Sequence, residues 1–168
     1  MTADSVDTAR WRHAWELKVF GYIDLTRLAL RTMASRGSGV ILNVIGMAGE
    51  RLSHDYVAGS TGNAALMAFT RTVGSRSLED GVRVVGISPG TVRTERVVSL
   101  YKTLARSRWG DEARYEEILA GQGKGTLVEP GDVAELATFL ASDRARRISG
   151  SIVAIDGGLA AFHSLGGK

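Results

Sequence analysis

The sequence predicts an α/β fold: an incomplete doubly wound parallel sheet of three strands with flanking helices. Helical and strand-like segments alternate along the chain, which is typical of βαβ units with parallel strands. The three strand-like runs are short, apolar and rich in β-branched residues, as strands buried on both faces are. The 168 residues suit one domain, so we predict a single unit over residues 1–168.

The first half of the chain divides into helix, strand, loop and helix. Apolar side chains recur near one face over residues 8–34, which predicts one long amphipathic helix with Asp7 or Thr8 as its N-cap. The apolar, β-branched run 40–45 predicts the first strand. The predicted loop and second helix follow, over residues 46–58 and 60–77.

The second half of the chain continues this alternation. The β-branched run 82–88 predicts the second strand and is followed at once by Pro89 and Gly90. Pro130 suits the first turn of a helix, where its missing N–H costs nothing, so we predict a helix there that extends to about residue 141. The third strand is expected over 151–155. Weaker patterns predict two short helices, over residues 95–107 and 111–119.

The carboxyl ends of the three strands are the expected location of a functional site. In open parallel sheets, ligands bind in the crevice beyond these ends. The candidate segments are therefore 44–46, 88–94 and 156–158.

Composition excludes several classes of function. The net charge of +3 arises from 21 basic and 18 acidic residues that are largely interleaved, so no nucleic-acid or membrane-surface patch is indicated. The chain has no cysteine, which excludes disulfides and thiolate metal sites and is compatible with the cytoplasm. No apolar run approaches the roughly 20 residues of a membrane helix. The three histidines are far apart in sequence, so we predict no metal site.

Four motifs in a fixed order carry a resemblance to a known family. They are the segment 15–21 of the first helix, the strand Ile41-Leu42-Asn43-Val44 with the following Ala48-Gly49, the turn Ser88-Pro89-Gly90-Thr91-Val92-Arg93-Thr94, and the run from Pro130-Gly131-Asp132 to Asp156-Gly157-Gly158. Together they resemble the C-terminal part of the Rossmann-like domain of the short-chain dehydrogenase/reductase family. The resemblance implies hydride transfer between a nicotinamide dinucleotide, NAD or NADP, and a carbonyl or alcohol substrate.

The catalytic side chains of that family have different counterparts in this sequence. In the family a Tyr acts as acid and base beside a Lys, a Ser polarises the substrate oxygen, and an Asn holds a water in the proton path. The resemblance can be carried over position by position. Lys18 then stands where the family has the Asn, Gly46 where it has the Ser, Gly59 where it has the Tyr and Asn63 where it has the Lys. Glycine cannot donate a proton, and an amide lacks the positive charge of an ammonium. The resemblance therefore implies that the usual four-part site is absent as a set.

Tyr56 is the candidate replacement for the missing acid, because it lies three residues before Gly59. A shifted loop would bring its hydroxyl to the substrate, and the nearby His54 is a second candidate proton donor. The alternative interpretation is a tyrosine that packs on the loop beside an exposed histidine. The sequence leaves both interpretations open.

The sequence predicts only the nicotinamide half of a cofactor site. By resemblance, five residues of one turn line the nicotinamide side: Pro89, Gly90, Thr91, Val92 and Thr94. The family's glycine-rich turn, which holds the pyrophosphate at a helix N-terminus, has no counterpart before Trp11. We therefore expect a truncated chain that lacks the N-terminal βαβ units and binds the cofactor weakly, unless coding sequence upstream of Met1 supplies them.

The two long helices are the expected contact with a partner. Family members pair through two such helices in a four-helix bundle, and by resemblance helices 8–34 and 60–77 predict a homodimer here. An unpaired apolar edge at strand 40–45 would also favour the association of one copy of the chain with another. Two hypotheses of function follow: a nicotinamide-dependent oxidoreductase with an unconventional proton donor, or a catalytically silent relative that dimerises or binds a ligand without turnover.

Overall fold

A three-stranded parallel sheet forms the centre of the fold. The computed structural model describes residues 2–3, 6–121 and 127–161. The strands are β1 (Gly39–Val44), β2 (Val82–Pro89), β3 (Thr91–Val92), β4 (Leu127–Val128) and β5 (Ile152–Ile155). The sheet has the order β1-β2-β5 with both pairs parallel, and Gly39 lies opposite Val82. The predicted fold class is confirmed.

Helices cover both faces of this sheet. In the described residues they are α1 (Thr8–Trp15), α2 (Tyr22–Ser35), α3 (Val57–Gly74), α4 (Glu95–Trp109), α5 (Tyr115–Ala120) and α6 (Pro130–Ala141). The stretch from α1 to α3 packs on one face and α6 on the other, so that β2 is buried along its whole length. None of the helices in this part of the chain combines the length and apolar character needed to cross a bilayer.

The long first helix is continuous but not uniform. Between α1 and α2, Glu16–Gly21 forms a π-helical turn, which the amphipathic pattern does not reveal because its period is averaged over several turns. Asp7 caps α1 as predicted, and its carboxylate accepts the N–H of Arg10 at 2.8 Å. Helix α3 begins and ends three residues before the predicted helix 60–77. As a result, Gly59 lies inside the helix rather than before it.

The apolar core holds the π-helical turn against α3. On this face of the sheet, buried side chains from the turn, the end of β1 and α3 pack together: Val19, Ile45, Leu66 and Met67. Burying a side chain of this size stabilises the fold by about 1.5–3 kcal/mol. Because Val19 is buried here, the neighbouring Lys18 has a fixed position next to the end of β1. The second cluster, under α6, contains Val85, Ile87, Leu140 and Ala145.

Two polar side chains of the strands are buried, and each has hydrogen-bond partners that compensate for the loss of water. Asn43 in β1 donates to Thr70 Oγ1 at 3.0 Å, and its Oδ1 accepts from Thr26 at 3.4 Å. Arg83 in β2 donates to three carbonyl oxygens at the end of α6, at 2.6, 3.3 and 3.0 Å: those of Leu140, Ala141 and Ser142. Helix-end carbonyls lack partners within the helix and favour a nearby cation, so Arg83 fixes α6 to the sheet.

A second, two-stranded parallel sheet extends the turn after β2. Here β3 pairs with β4, and Thr91 lies opposite Leu127. The sequence does not predict this pair, because strands of two residues are too short to produce a periodic pattern. The pairing holds Thr91 and Val92 in extended form directly after the Pro89-Gly90 turn.

One edge of the central sheet is unpaired among the described residues. Strand β1 pairs only with β2, and an apolar groove of about 580 Å³ lies between its other edge and α2. Side chains from the π-helical turn, α2 and β1 line the groove, including Leu17, Leu25, Met33, Val40, Leu42 and Val44. The exposed edge that the sequence predicts is thus present in this part of the chain.

Candidate functional site

The turns that follow β1, β2 and β5 meet at the carboxyl edge of the sheet. The N–H of Ile45 donates to the carbonyl of Ile87 at 2.8 Å, which holds the end of β1 against β2. The N–H of Gly90 donates to the carbonyl of Ile155 at 3.0 Å and ties the next turn to β5. The three candidate segments therefore come together, as the parallel topology requires.

Gly46 and Asn63 are in contact at this edge. The backbone of Gly46 has a φ of +110°, a conformation that residues with a side chain rarely adopt. Asn63 Nδ2 donates to the Gly46 carbonyl at 3.2 Å, and a Cβ on Gly46 would lie 3.4 Å from the same nitrogen. The amide of Asn63 thus stands beside the position that a side chain at residue 46 would occupy. Its buried Oδ1 has no hydrogen-bond partner in the described residues, which leaves it available to a donor from a ligand or water.

Tyr56 covers the position that a side chain at residue 59 would occupy. Tyr56 ends a short 3₁₀ turn, α3 starts at Val57, and Gly59 lies in its first turn. A Cβ on Gly59 would overlap the ring of Tyr56, so the absence of a side chain there is what allows the ring to lie over the helix. Tyr56 is nevertheless 56% exposed, which leaves the ring accessible to a ligand.

Lys18 reaches the same region from the π-helical turn. Its Nζ donates to the Ile45 carbonyl at 3.0 Å and lies 5.0 Å from the centroid of the Tyr22 ring, a cation–π distance. Burial removes water from the ammonium and lowers the pKa of Lys18 from its usual value. Single-turn π-helices are frequent at functional sites, and this one directs the lysine toward the end of β1.

A small pocket joins Lys18 to Tyr56. Its volume is about 110 Å³, and the described residues that line it are Ala14, Trp15, Lys18, Tyr56, Ala58 and Gly59. The indole Nε1 of Trp15 donates to the Ala58 carbonyl at 2.9 Å and holds α1 against the start of α3. His54 lies on the same turn as Tyr56, is exposed and does not contribute to the described lining. Of the two candidate proton donors, only Tyr56 therefore faces the pocket.

The turn after β2 contains the residues that the resemblance assigns to the nicotinamide side. Its predicted residues lie together: Pro89 ends β2, Gly90 follows, Thr91 and Val92 form β3, and Thr94 precedes α4. Thr94 Oγ1 accepts the N–H of Val97 at 3.3 Å as the N-cap of α4, which leaves its hydroxyl hydrogen free to donate. Ser88, just before the turn, is fully buried, and its hydroxyl has no partner in the described residues.

Sequence reasoning missed two features of this site. It identified Lys18 only as a departure from the family pattern, because a single lysine on an amphipathic helix gives no signal of where its ammonium lies. It includes Ser88 in the candidate segment 88–94 but does not single out its hydroxyl, whose burial depends on the packing of β2 between two neighbours. No group of three or more histidine or carboxylate side chains suited to a metal is present in the part of the chain that the structure describes.

Comparisons with known proteins match nearly the whole chain. The family model described as enoyl-(acyl carrier protein) reductase matches residues 2–160. The cis-4-hydroxycyclohexanecarboxylate dehydrogenase of Sinomonas cyclohexanicum is 35% identical over 159 residues, which are 93% of this chain and 59% of that protein. The 7alpha-hydroxysteroid dehydrogenase of Escherichia coli K12 is 30% identical over 150 residues, 89% of this chain and 55% of that protein.

A solved structure agrees with these relatives. The L-sorbose reductase of Gluconobacter frateurii, in complex with NADPH and L-sorbose, superposes with a TM-score of 0.85 and 28% identity over 97% of this chain and 63% of that one. The chain thus spans between 55% and 63% of the length of these three proteins.

Proposed function

This chain belongs to the short-chain dehydrogenase/reductase family, and from that premise we propose that it takes part in hydride transfer between a nicotinamide dinucleotide, NAD or NADP, and the carbonyl or alcohol carbon of a small molecule. The similar proteins support this reaction class, because they are dehydrogenases and a reductase, the latter solved with NADPH. Since the chain spans 59% of the dehydrogenase from S. cyclohexanicum, the activity of the whole protein is part of the proposal.

The observation that carries the proposal is the position of Tyr56 over Gly59. The family's acid would project from position 59, where this chain has no side chain, and the ring of Tyr56 lies in that space. A phenol from a neighbouring residue thus takes the place of the missing one. This geometry favours an active site with a relocated acid over a site that has lost its acid.

In this proposal Tyr56 acts as the general acid of carbonyl reduction. A reduced nicotinamide, when bound beside the Pro89–Thr94 turn, supplies the hydride to the carbonyl carbon. Tyr56 donates its phenolic proton to the carbonyl oxygen, which yields the alcohol, and in the reverse direction the phenolate accepts that proton. Asn63 keeps one N–H beyond its bond to Gly46 and supplies a hydrogen bond to the same oxygen, where the family uses a serine hydroxyl.

The cofactor contact of this proposal is tested at Thr94. We expect titration with NADH and with NADPH, followed by nicotinamide fluorescence, to show binding by the parent chain. In Thr94→Asp the side chain still caps α4 but loses its hydroxyl donor and adds a negative charge beside a phosphate or carboxamide. We expect affinity to fall about tenfold, which corresponds to about 1.4 kcal/mol.

Thr94→Ser is the matched control, since it keeps both the cap and the hydroxyl, and we expect it to bind as the parent does. Equal affinity of the parent and Thr94→Asp would contradict a role for Thr94. The absence of any binding by the parent would contradict the proposed function of this chain.

A second candidate function, association without turnover, is favoured by exposed apolar side chains on the long helix. Leu17, Leu25 and Leu28 are 83%, 70% and 61% exposed, and large apolar side chains exposed on a single helix favour a contact with a partner. We expect sedimentation velocity to show a dimer or larger species, and Leu25→Glu to shift the equilibrium toward the monomer. Leu100→Glu on α4, at a leucine that is 55% exposed, is the control and should not shift it. A tight monomer with cooperative unfolding would contradict this candidate.

A further inference from the structure

The ammonium of Lys18 is partly buried without a carboxylate partner. Its described contacts are the Ile45 carbonyl and the ring of Tyr22, and none of the ion pairs in the described part of the chain includes it. Desolvation is the cause of its lowered pKa. A cation withdrawn from water without an opposite charge is unfavourable for the fold, so an anion that reached Lys18 would bind favourably.

The pocket beside Lys18 has the size and lining of a subsite for a small anion. Lys18 is the only charged residue among those described as lining it, and the other walls are aromatic or small. Its volume of about 110 Å³ equals that of a few water molecules at roughly 30 Å³ each. This is enough for a carboxylate with one or two attached carbons. No acidic side chain in the described lining would repel such a group.

We propose that this pocket binds the carboxylate of a small organic acid, with the ammonium of Lys18 as its charged donor and Tyr56 on the opposite wall. One N–H of the ammonium is engaged by the Ile45 carbonyl, and two remain for the carboxylate oxygens. Hydrogen bonds between ionised groups are about twice as strong as those between neutral groups. Partial exclusion of water strengthens the attraction further.

This subsite also assigns a class of substrate. If the chain reduces carbonyl compounds as proposed above, a carboxylate on Lys18 would place the rest of the molecule next to Tyr56. The favoured substrates are then oxo acids and the corresponding hydroxy acids, and neutral ketones lack the anchoring group. The substrate class rests on the proposed function, whereas binding of the carboxylate does not.

The subsite is tested by binding of propanoate in the absence of any cofactor. Titration is followed through the backbone amide resonances of Ala58 and Gly59, which lie in the pocket lining. We expect propanoate to shift them in a saturable way and its neutral isostere propanamide to bind at least tenfold more weakly. Lys18→Met should weaken propanoate about tenfold or more, and Lys18→Arg should restore most of the affinity.

Lys102→Met is the matched control. Lys102 also lies over a tyrosine ring, 5.4 Å from the centroid of Tyr115, but it is exposed on α4, and its loss should leave propanoate binding unchanged. Equal binding of propanoate and propanamide, or unchanged binding in Lys18→Met, would overturn the proposal. Because no turnover is measured, a chain that binds propanoate through Lys18 but transfers no hydride would contradict only the proposed function.

Discussion

Tyr56→Phe is expected to lower the rate of carbonyl reduction by about 10²–10⁴-fold, the usual contribution of a positioned general acid. The ring stays over Gly59, so packing at the start of α3 is preserved and only the hydroxyl is lost. The measurement is the steady-state rate of NADH or NADPH oxidation with the best carbonyl substrate of a panel. We expect kcat to fall while cofactor affinity stays unchanged, because the phenol acts on the reacting oxygen and not on the dinucleotide.

Gly59→Ala tests the same role without removing the phenol. The added Cβ would overlap the Tyr56 ring, and this exposed ring can move away, so we expect the fold to persist and the rate to fall. Tyr115→Phe, at a tyrosine on α5 outside the pocket, is the control and should keep the parent's rate. A Tyr56→Phe variant that turns over as fast as the parent would show that Tyr56 is not the acid.

Gly74→Ala is expected to reduce the free energy of unfolding by about 3 kcal/mol, the upper end of the range for overpacking. Gly74 ends α3 where the helix touches the sheet, and a Cβ there would lie 2.6 Å from Gly150 Cα and collide with the carbonyl oxygen of Val84. These obstacles are backbone atoms, so no side-chain rotation relieves the contact. Urea unfolding followed by circular dichroism measures the change.

Gly131→Ala is the matched control for Gly74→Ala, because it makes the same change at a helical glycine that has space for the added Cβ. Gly131 lies in the first turn of α6, and a Cβ there would meet no atom within 4 Å. Since alanine is the better helix former by about 1 kcal/mol, this variant should be as stable as the parent or more stable. If Gly74→Ala were no less stable than Gly131→Ala, the close contact between α3 and the sheet would be wrong.

The sequence predicts the central sheet because its strands are continuous apolar runs, a local property. It predicts the N-cap of α1 and the start of α6 for the same reason, since Asp7 and Pro130 act on adjacent residues. It does not predict the π-helical turn at Glu16–Gly21, because the apolar period is averaged over several turns and a single irregular turn is lost in that average. The pairing of β3 with β4 depends on contacts between distant residues, which no local pattern encodes.

The sequence predicts where the candidate site lies, but not which side chains come into contact there. The carboxyl ends of neighbouring parallel strands lie at the same edge of a sheet, so the sequence predicts Gly46 and the Pro89–Thr94 turn at one edge. The overlap of the Tyr56 ring with position 59 is a matter of side-chain packing, and sequence spacing alone left it open. The bond from Lys18 to the Ile45 carbonyl depends on how the π-helical turn is rotated. The resemblance to family motifs thus predicts which positions to compare, whereas the contacts around those positions come from the geometry alone.

The most direct test of a relocated acid is the distance between Tyr56 and a bound nicotinamide. Nuclear Overhauser spectra of the chain with NADH, with Tyr56→Ala used for assignment, measure it in solution. We expect cross-peaks between the Tyr56 ring protons and the C4 hydrogens of the nicotinamide, since the carbonyl group that accepts the proton of Tyr56 must also receive the hydride from C4. Cross-peaks from the bound nicotinamide to the Pro89–Thr94 turn, with none to Tyr56, would contradict the account.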